Sequence, residues 1–240
     1  MKALKTVVNY FSKFELLLWC ASVVLIVVSF CVFDRQNYIA FSASLIGVTS
    51  LILCAKGNPL GQVLMVVFSV LYGIISYNSA YYGEMITYLG MSAPMAIFAL
   101  FAWLRNPYKN RRSEVRVNRL KWREIVFALL LTAGVTVAFY YILRELGTAN
   151  LLTSTVSVAT SFFAVYLTFR RCAYFPLAYA ANDLVLIVLW SMATHGDKSY
   201  VSVIICFVVF LVNDLYGFFN WLRMQKRQKE QSSETPSDSL

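Results

Sequence analysis

Two Asn-Asp pairs, Asn182-Asp183 and Asn213-Asp214, sit in the middle of otherwise apolar stretches. An aspartate at the centre of a membrane-spanning helix costs about 2.5–3.5 kcal/mol on insertion scales, so two of them need a cavity or a ligand to compensate. Their chemistry suits recognition: an amide forms paired hydrogen bonds to a base-like edge, and a carboxylate holds hydroxyls or a positive charge. Tyr and Trp stack on flat rings. Helical spacing places Tyr179, Asp183 and Trp190 on one face, Asn213, Tyr216 and Asn220 on a second, and Asp214 with Trp221 on a third. Neighbours along a helix point about 100° apart, so one member of each Asn-Asp pair must brace an adjacent helix. The candidate substrate-binding residues are the two pairs, Tyr179, Trp190 and Tyr216 beside them, and Gln62, Ser69 and Tyr72 from an earlier apolar stretch. Interhelical polar glue is the competing role for each.

The elements that must position these residues are apolar runs long enough to cross a bilayer, which takes roughly 20 residues. Eight are present, at about 14–33, 38–55, 59–78, 84–104, 125–145, 151–169, 173–194 and 199–222. With 59% hydrophobic and 14% charged residues, the chain reads as an all-α integral membrane protein. Its basic residues alternate by loop. If the N-terminus is cytoplasmic, all of the 21 Lys and Arg except Arg35, Arg144 and Lys198 fall on the cytoplasmic side, with both ends inside. Excess positive charge therefore reads as a topology signal, and the net charge of +9 does not indicate a nucleic-acid partner. The lipid bilayer is the implied surface. The first run is long and has no small-residue cleavage site after it, so it is expected to be a retained helix.

A weak internal repeat organises the eight runs. Phe219-Asn220-Trp221-Leu222-Arg223 closes the last three, and Phe101-Ala102-Trp103-Leu104-Arg105 closes runs two to four. Val48-Thr49-Ser50 matches Ala159-Thr160-Ser161, and Tyr81-Tyr82-Gly83-Glu84 matches Thr194-His195-Gly196-Asp197. One run separates the copies, so they are parallel repeats and the core is three-plus-one-plus-three. The expected divisions are a tail and extra helix at 1–36, a first bundle at 37–105 and a basic linker at 106–124. A connecting helix at 125–148, a second bundle at 149–223 and a disordered tail at 224–240 complete the chain. Pro94 and Pro176 are candidate kinks.

No Walker A loop, dinucleotide fingerprint, zinc-protease helix or nucleophile elbow is present, so these enzyme classes have no visible site. Cys20, Cys31, Cys54, Cys172 and Cys206 show no metal-type spacing, His195 has no companion, and no cofactor is expected. An integral membrane enzyme or sensor using Asp183 and Asp214 as paired carboxylates is the alternative of a different class.

Several segments carry a family resemblance. Asn58-Pro-Leu-Gly61-Gln62, Phe68-Ser69-x-x-Tyr72-Gly73, Tyr81-Tyr-Gly-Glu84-Met-Ile-Thr-Tyr-Leu-Gly-Met91, Trp103-Leu-Arg-Asn-Pro-Tyr108 and Asn213-Asp-Leu-Tyr-Gly217-x-x-x-Trp221 together resemble the PnuC vitamin transporter family from about residue 40 to 223. The resemblance implies a SWEET-like fold and facilitated diffusion of nicotinamide riboside or a similar nucleoside-like compound across the bacterial inner membrane. It also implies a homotrimer, and a cytoplasmic kinase that traps the substrate by phosphorylation. One motif departs from the pattern: nicotinamide riboside carriers of the family have Trp-x-x-Trp-x-x-x-Asn in the penultimate helix. Asn182 matches it, but Phe175 and Ala178 replace the tryptophans, which brings thiamine, riboflavin and deoxynucleosides in as competing substrates.

Overall fold

The computed structural model describes residues 10–78, 81–109, 111–148, 150–194 and 200–233, apart from the side chains of residues 111, 112 and 193. His195 and its repeat match at 196–197 lie outside the described residues. Among those described, eight helices are long and apolar enough to span a membrane. They are α1 Lys13–Phe33, α2 Tyr38–Ala55, α3 Leu60–Asn78, α4 Tyr82–Leu104, α5 Trp122–Glu145, α6 Leu151–Phe169, α7 Phe175–Ala193 and α8 Val201–Ser233.

Six of the helices close into a ring. Packing runs α2–α3–α4–α6–α7–α8 and returns from α8 to α2, while α1 leans on α2 and α8 and α5 leans on α6. Both outer helices face hydrocarbon, so their length and apolarity carry the sequence signal but little of the core; in α5 only Ala128 and Leu143 are buried.

Local chemistry fixes the ends. Ser12 and Glu15 form a capping box at the start of α1: the Glu15 amide donates to Ser12 Oγ at 3.2 Å and the Ser12 amide to Glu15 Oε2 at 2.6 Å. Asn37 caps α2 by accepting from the Ala40 amide at 3.0 Å. Inside α4, residues Thr87–Ser92 widen into a π-turn, and the Ala93 amide reaches back to the Tyr88 carbonyl. Pro94 follows at once. Lacking an N–H, it cannot serve the Gly90 carbonyl, so the wider turn absorbs the break. Pro176 lies in the first turn of α7, where a missing N–H costs nothing, and it is not the kink its position in the sequence suggested.

One further expectation needs correction. The tail from Met224 is not disordered through its first ten residues: α8 continues to Ser233, about 50 Å in all at 1.5 Å per residue. The basic linker is also ordered. It holds a short antiparallel pair, β1 Pro107–Tyr108 and β2 Arg111–Val115, folded over the end of the ring. Gln228 of α8 locks the two together by accepting from the Val117 amide at 2.9 Å and donating to the Val115 carbonyl at 3.1 Å.

Two tryptophans hold the ring shut at this linker end. Trp103 of α4 donates its indole N–H to the Thr168 carbonyl of α6, and Trp221 of α8 donates to the Cys54 carbonyl of α2, both at 2.9 Å. The first ties α4 to α6 and the second α8 to α2. The acceptors are last-turn carbonyls, and each also accepts at 2.9 Å from the amide three residues on, Thr168 from Arg171 and Cys54 from Gly57. The two rings lie 5.4 Å apart, and Phe175 meets Trp221 edge-on at 4.8 Å.

Candidate substrate-binding site

All six ring helices contribute side chains to one small polar cavity at mid-depth. Asn182 and Asp183 enter from α7, Asp214 from α8, Ser69 from α3, Ser161 from α6, Tyr88 from α4 and Leu51 from α2, so both members of the first Asn-Asp pair reach the cavity, contrary to expectation, and only the second pair divides between cavity and neighbouring helix. Asp183 stands eight residues from Phe175 and seven from Trp190, so it lies about 10–12 Å along the helix axis from an aromatic cluster on each side. The linker-end cluster is Trp103, Trp221 and Phe175. At the other end, Trp190 packs against Tyr81 at 5.0 Å and Tyr200 at 5.2 Å, with Tyr72 edge-on at 6.2 Å. Between them the cavity offers about 40 Å³ to water centres, enough for a few waters and too little for a nucleoside.

The polar groups around it are aimed rather than satisfied. Thr160 and Ser161 both donate to Asn182 Oδ1, at 2.8 and 2.9 Å, which fixes the amide and leaves its NH2 as the free donor. Asp183 and Asp214 lie close enough to share a hydrogen bond, and Asp183 Oδ2 receives no donor from any described residue. Ser69 Oγ is likewise buried without a partner. Tyr179 lines the cavity on its linker side.

The remaining candidates are placed elsewhere. Asn213 donates to Ser22 Oγ of α1 at 3.0 Å and to the Val209 carbonyl at 2.8 Å. Tyr216 donates to Glu15 Oε1 of α1 at 2.9 Å, and Asn220 donates to the Ala55 carbonyl of α2 at 2.8 Å. The stripe of 213, 216 and 220 is thus interhelical glue facing α1 and α2. Gln62 donates to Cys54 Sγ at 3.3 Å within the α2–α3 contact. Tyr72 and Trp190 belong to the outer aromatic cluster. Of the positions that depart from the family motif, Phe175 sits in the linker-end cluster and Ala178 lines a groove on the outside of the ring, so neither faces the cavity.

Sequence reasoning missed Tyr88, Ser92 and Ser161 as lining residues. Ser161 carried a signal, as part of the Ala159-Thr160-Ser161 repeat match. Tyr88 and Ser92 had none, since a π-turn decides where they point.

A membrane-embedded ring of helices around a small polar cavity, closed off by aromatic clusters, is the construction of a small-molecule carrier. The sequence profile of the family described as nicotinamide mononucleotide transporter matches residues 37–223, and the chain belongs to that family. It is 26% identical over 207 residues to the nicotinamide riboside transporter PnuC of Neisseria mucosa, covering 83% of this chain and 78% of the relative. Identity to the Haemophilus influenzae nicotinamide riboside transporter PnuC is 22% over 225 residues, 92% and 94% of the two chains. A crystal structure of the vitamin B3 transporter PnuC shares the fold, with a TM-score of 0.80 at 23% identity over 91% of this chain and 94% of that one. These relatives are named as transporters, not enzymes.

Proposed function

We propose that this chain carries nicotinamide riboside, or a nucleoside-like compound with a similarly charged ring, by facilitated diffusion. The observation that carries the reading is the charge of the central cavity. Two contacting carboxyl groups line it, and no Lys or Arg occurs between residues 38–55, 60–78, 82–104, 151–169, 175–193 or 201–222 of the ring. A permanently cationic pyridinium ring offsets the repulsion between two carboxylates in a low-dielectric site. A phosphate brings the opposite charge and finds no counter-ion, so the riboside fits this cavity better than the mononucleotide. The fixed Asn182 amide is placed to bond the carboxamide or a sugar hydroxyl, and Tyr88 and Tyr179 supply ring contacts.

Passage requires the two aromatic clusters to part in turn, and the paired bundles 37–105 and 149–223, joined through 106–148, are the bodies that move. The reciprocal Trp103 and Trp221 bonds support pairing of those bundles as parallel repeats. Basic residues concentrated on the linker side support cytoplasmic ends in a bacterial inner membrane. Family resemblance supports a homotrimer, with substrate trapped inside the cell by a phosphorylating kinase.

Counterflow in sealed proteoliposomes tests the activity. Labelled nicotinamide riboside should exchange without an ion gradient, and competition should rank the riboside and cationic thiamine above riboflavin, deoxynucleosides and the mononucleotide. Binding without flux refutes the carrier reading. Preference for the mononucleotide refutes the electrostatic one.

A further inference from the structure

On the outside of the ring, at the linker end, α5, α6 and α7 leave a groove of about 810 Å³. Its walls are carbon, from Leu120, Ile125, Phe163, Leu167, Leu177 and Ala181. Leu177 and Ala181 are exposed, so the groove opens sideways toward the hydrocarbon rather than into the central cavity.

Its rim is strongly basic. Arg119 lines the groove. The neighbouring Asn118 amide donates to the Arg171 carbonyl at 2.9 Å, which brings the turn between α6 and α7 to the same rim. Arg171 holds a left-handed backbone, φ +55°, and its Nε is buried with no hydrogen-bond partner. Burial first, and then the charges of Arg170 and Arg116, push its pKa below the usual arginine range. Arg170 is paired with Glu124, but among the described residues no carboxylate pairs with Arg116, Arg119 or Arg171. Like charges gathered without a counter-ion are costly unless an anion joins them.

We propose that this groove binds one anionic phospholipid, with its phosphate held by Arg119 and Arg171 and an acyl chain lying between α6 and α7. The position suits it, because α6 ends and α7 begins where lipid headgroups meet hydrocarbon, and a basic pocket between spans is a headgroup site.

Native mass spectrometry of the purified protein, with added phosphatidylglycerol or phosphatidylcholine of the same acyl chains, tests the site. The unmodified protein should retain one phosphatidylglycerol at several-fold lower lipid concentration than phosphatidylcholine. R119Q with R171Q should bring that ratio close to one, and R119K should keep it. Should the double variant fail to fold, R119Q alone, at an exposed position, should still lower the ratio. A181W, which fills the groove, should reduce retention of both lipids several-fold. Equal retention of the two lipids by the unmodified protein overturns the proposal, as does a ratio indifferent to the arginines. A181W that changes the mass of the assembly while leaving lipid retention intact makes the groove a contact between copies, and overturns it too.

Discussion

At the linker end of the ring both buried indole N–H groups find a carbonyl at 2.9 Å, whereas at the centre Ser69 Oγ and Asp183 Oδ2 find nothing among the described residues. The two hydrogen bonds of Asn182 both fall on its oxygen. Both regions are buried, and both draw on polar groups inside an apolar envelope. The linker end uses them to hold helices together, because each bond joins two of them. The centre holds its polar groups in place through outer partners such as Thr160 and Ser161 and leaves their inner sides unmatched. Burial with satisfied bonds marks structure; burial with aimed, unsatisfied groups marks a place for a ligand.

Substitutions that separate stability from affinity break or sharpen that contrast. The largest effect belongs to Trp221→Ala, which empties a core position and removes the bond from α8 to the Cys54 carbonyl. It should cost about 3–5 kcal/mol in reversible unfolding in mixed micelles. An equal loss from Trp221→Ala in a Trp103→Ala background would show that the two tryptophans do not act as one hub.

Next comes Asp183→Asn. A bond to a charged group is worth about 1.5–3 kcal/mol, so calorimetry should show a ten- to hundredfold weaker affinity for nicotinamide riboside. Unfolding should be no easier, because asparagine fills the same space and can still bond Asp214. Unchanged affinity would remove the carboxyl pair from the site.

Gly47→Ala probes the cavity wall from behind. A Cβ there would lie 2.3 Å from Phe210 Cζ, and Phe210 lines the cavity. The ring must shift, at about 1–3 kcal/mol for overpacking, and slower counterflow should accompany the loss. Full transport activity would mean that Phe210 yields away from the path.

The finest test compares the two asparagines. Asn182→Ala should weaken binding several-fold or more, on the basis of about 0.5–1.5 kcal/mol per neutral hydrogen bond. Asn213→Ala should leave affinity alone and cost roughly 0.6 kcal/mol of stability, the average for bonds between membrane helices. Titration calorimetry and unfolding on the same two proteins decide it, and an affinity loss for Asn213→Ala would return that residue to the pocket.

Much of this was legible before any fold was known. Eight apolar runs, their loops graded by charge, and two Asn-Asp pairs at mid-run followed from composition, because a bilayer dictates segment length and penalises polar groups along a single axis. Helical spacing also separated Asp214 from the 213, 216, 220 stripe. It could not say which stripe faced the cavity. Periodicity gives angles between residues and no phase relative to neighbours, and in a membrane a cavity and a helix contact accept the same polar side chains. Asn213 and Asn182 therefore read alike in sequence, and Ser22 of α1 decided between them.

The sequence by itself determined the solvent of this protein, the number and order of its spans, and the depth at which its polar residues lie. Those depend on hydrophobicity summed along the chain, which needs no partner. Tertiary structure decided ring closure through Trp103 and Trp221, the continuation of α8 onto the linker, and the grouping of Asn182, Asp183 and Asp214. Each of these depends on a contact between residues far apart in the chain, and hydropathy reports the surroundings a residue prefers without saying which neighbour supplies them.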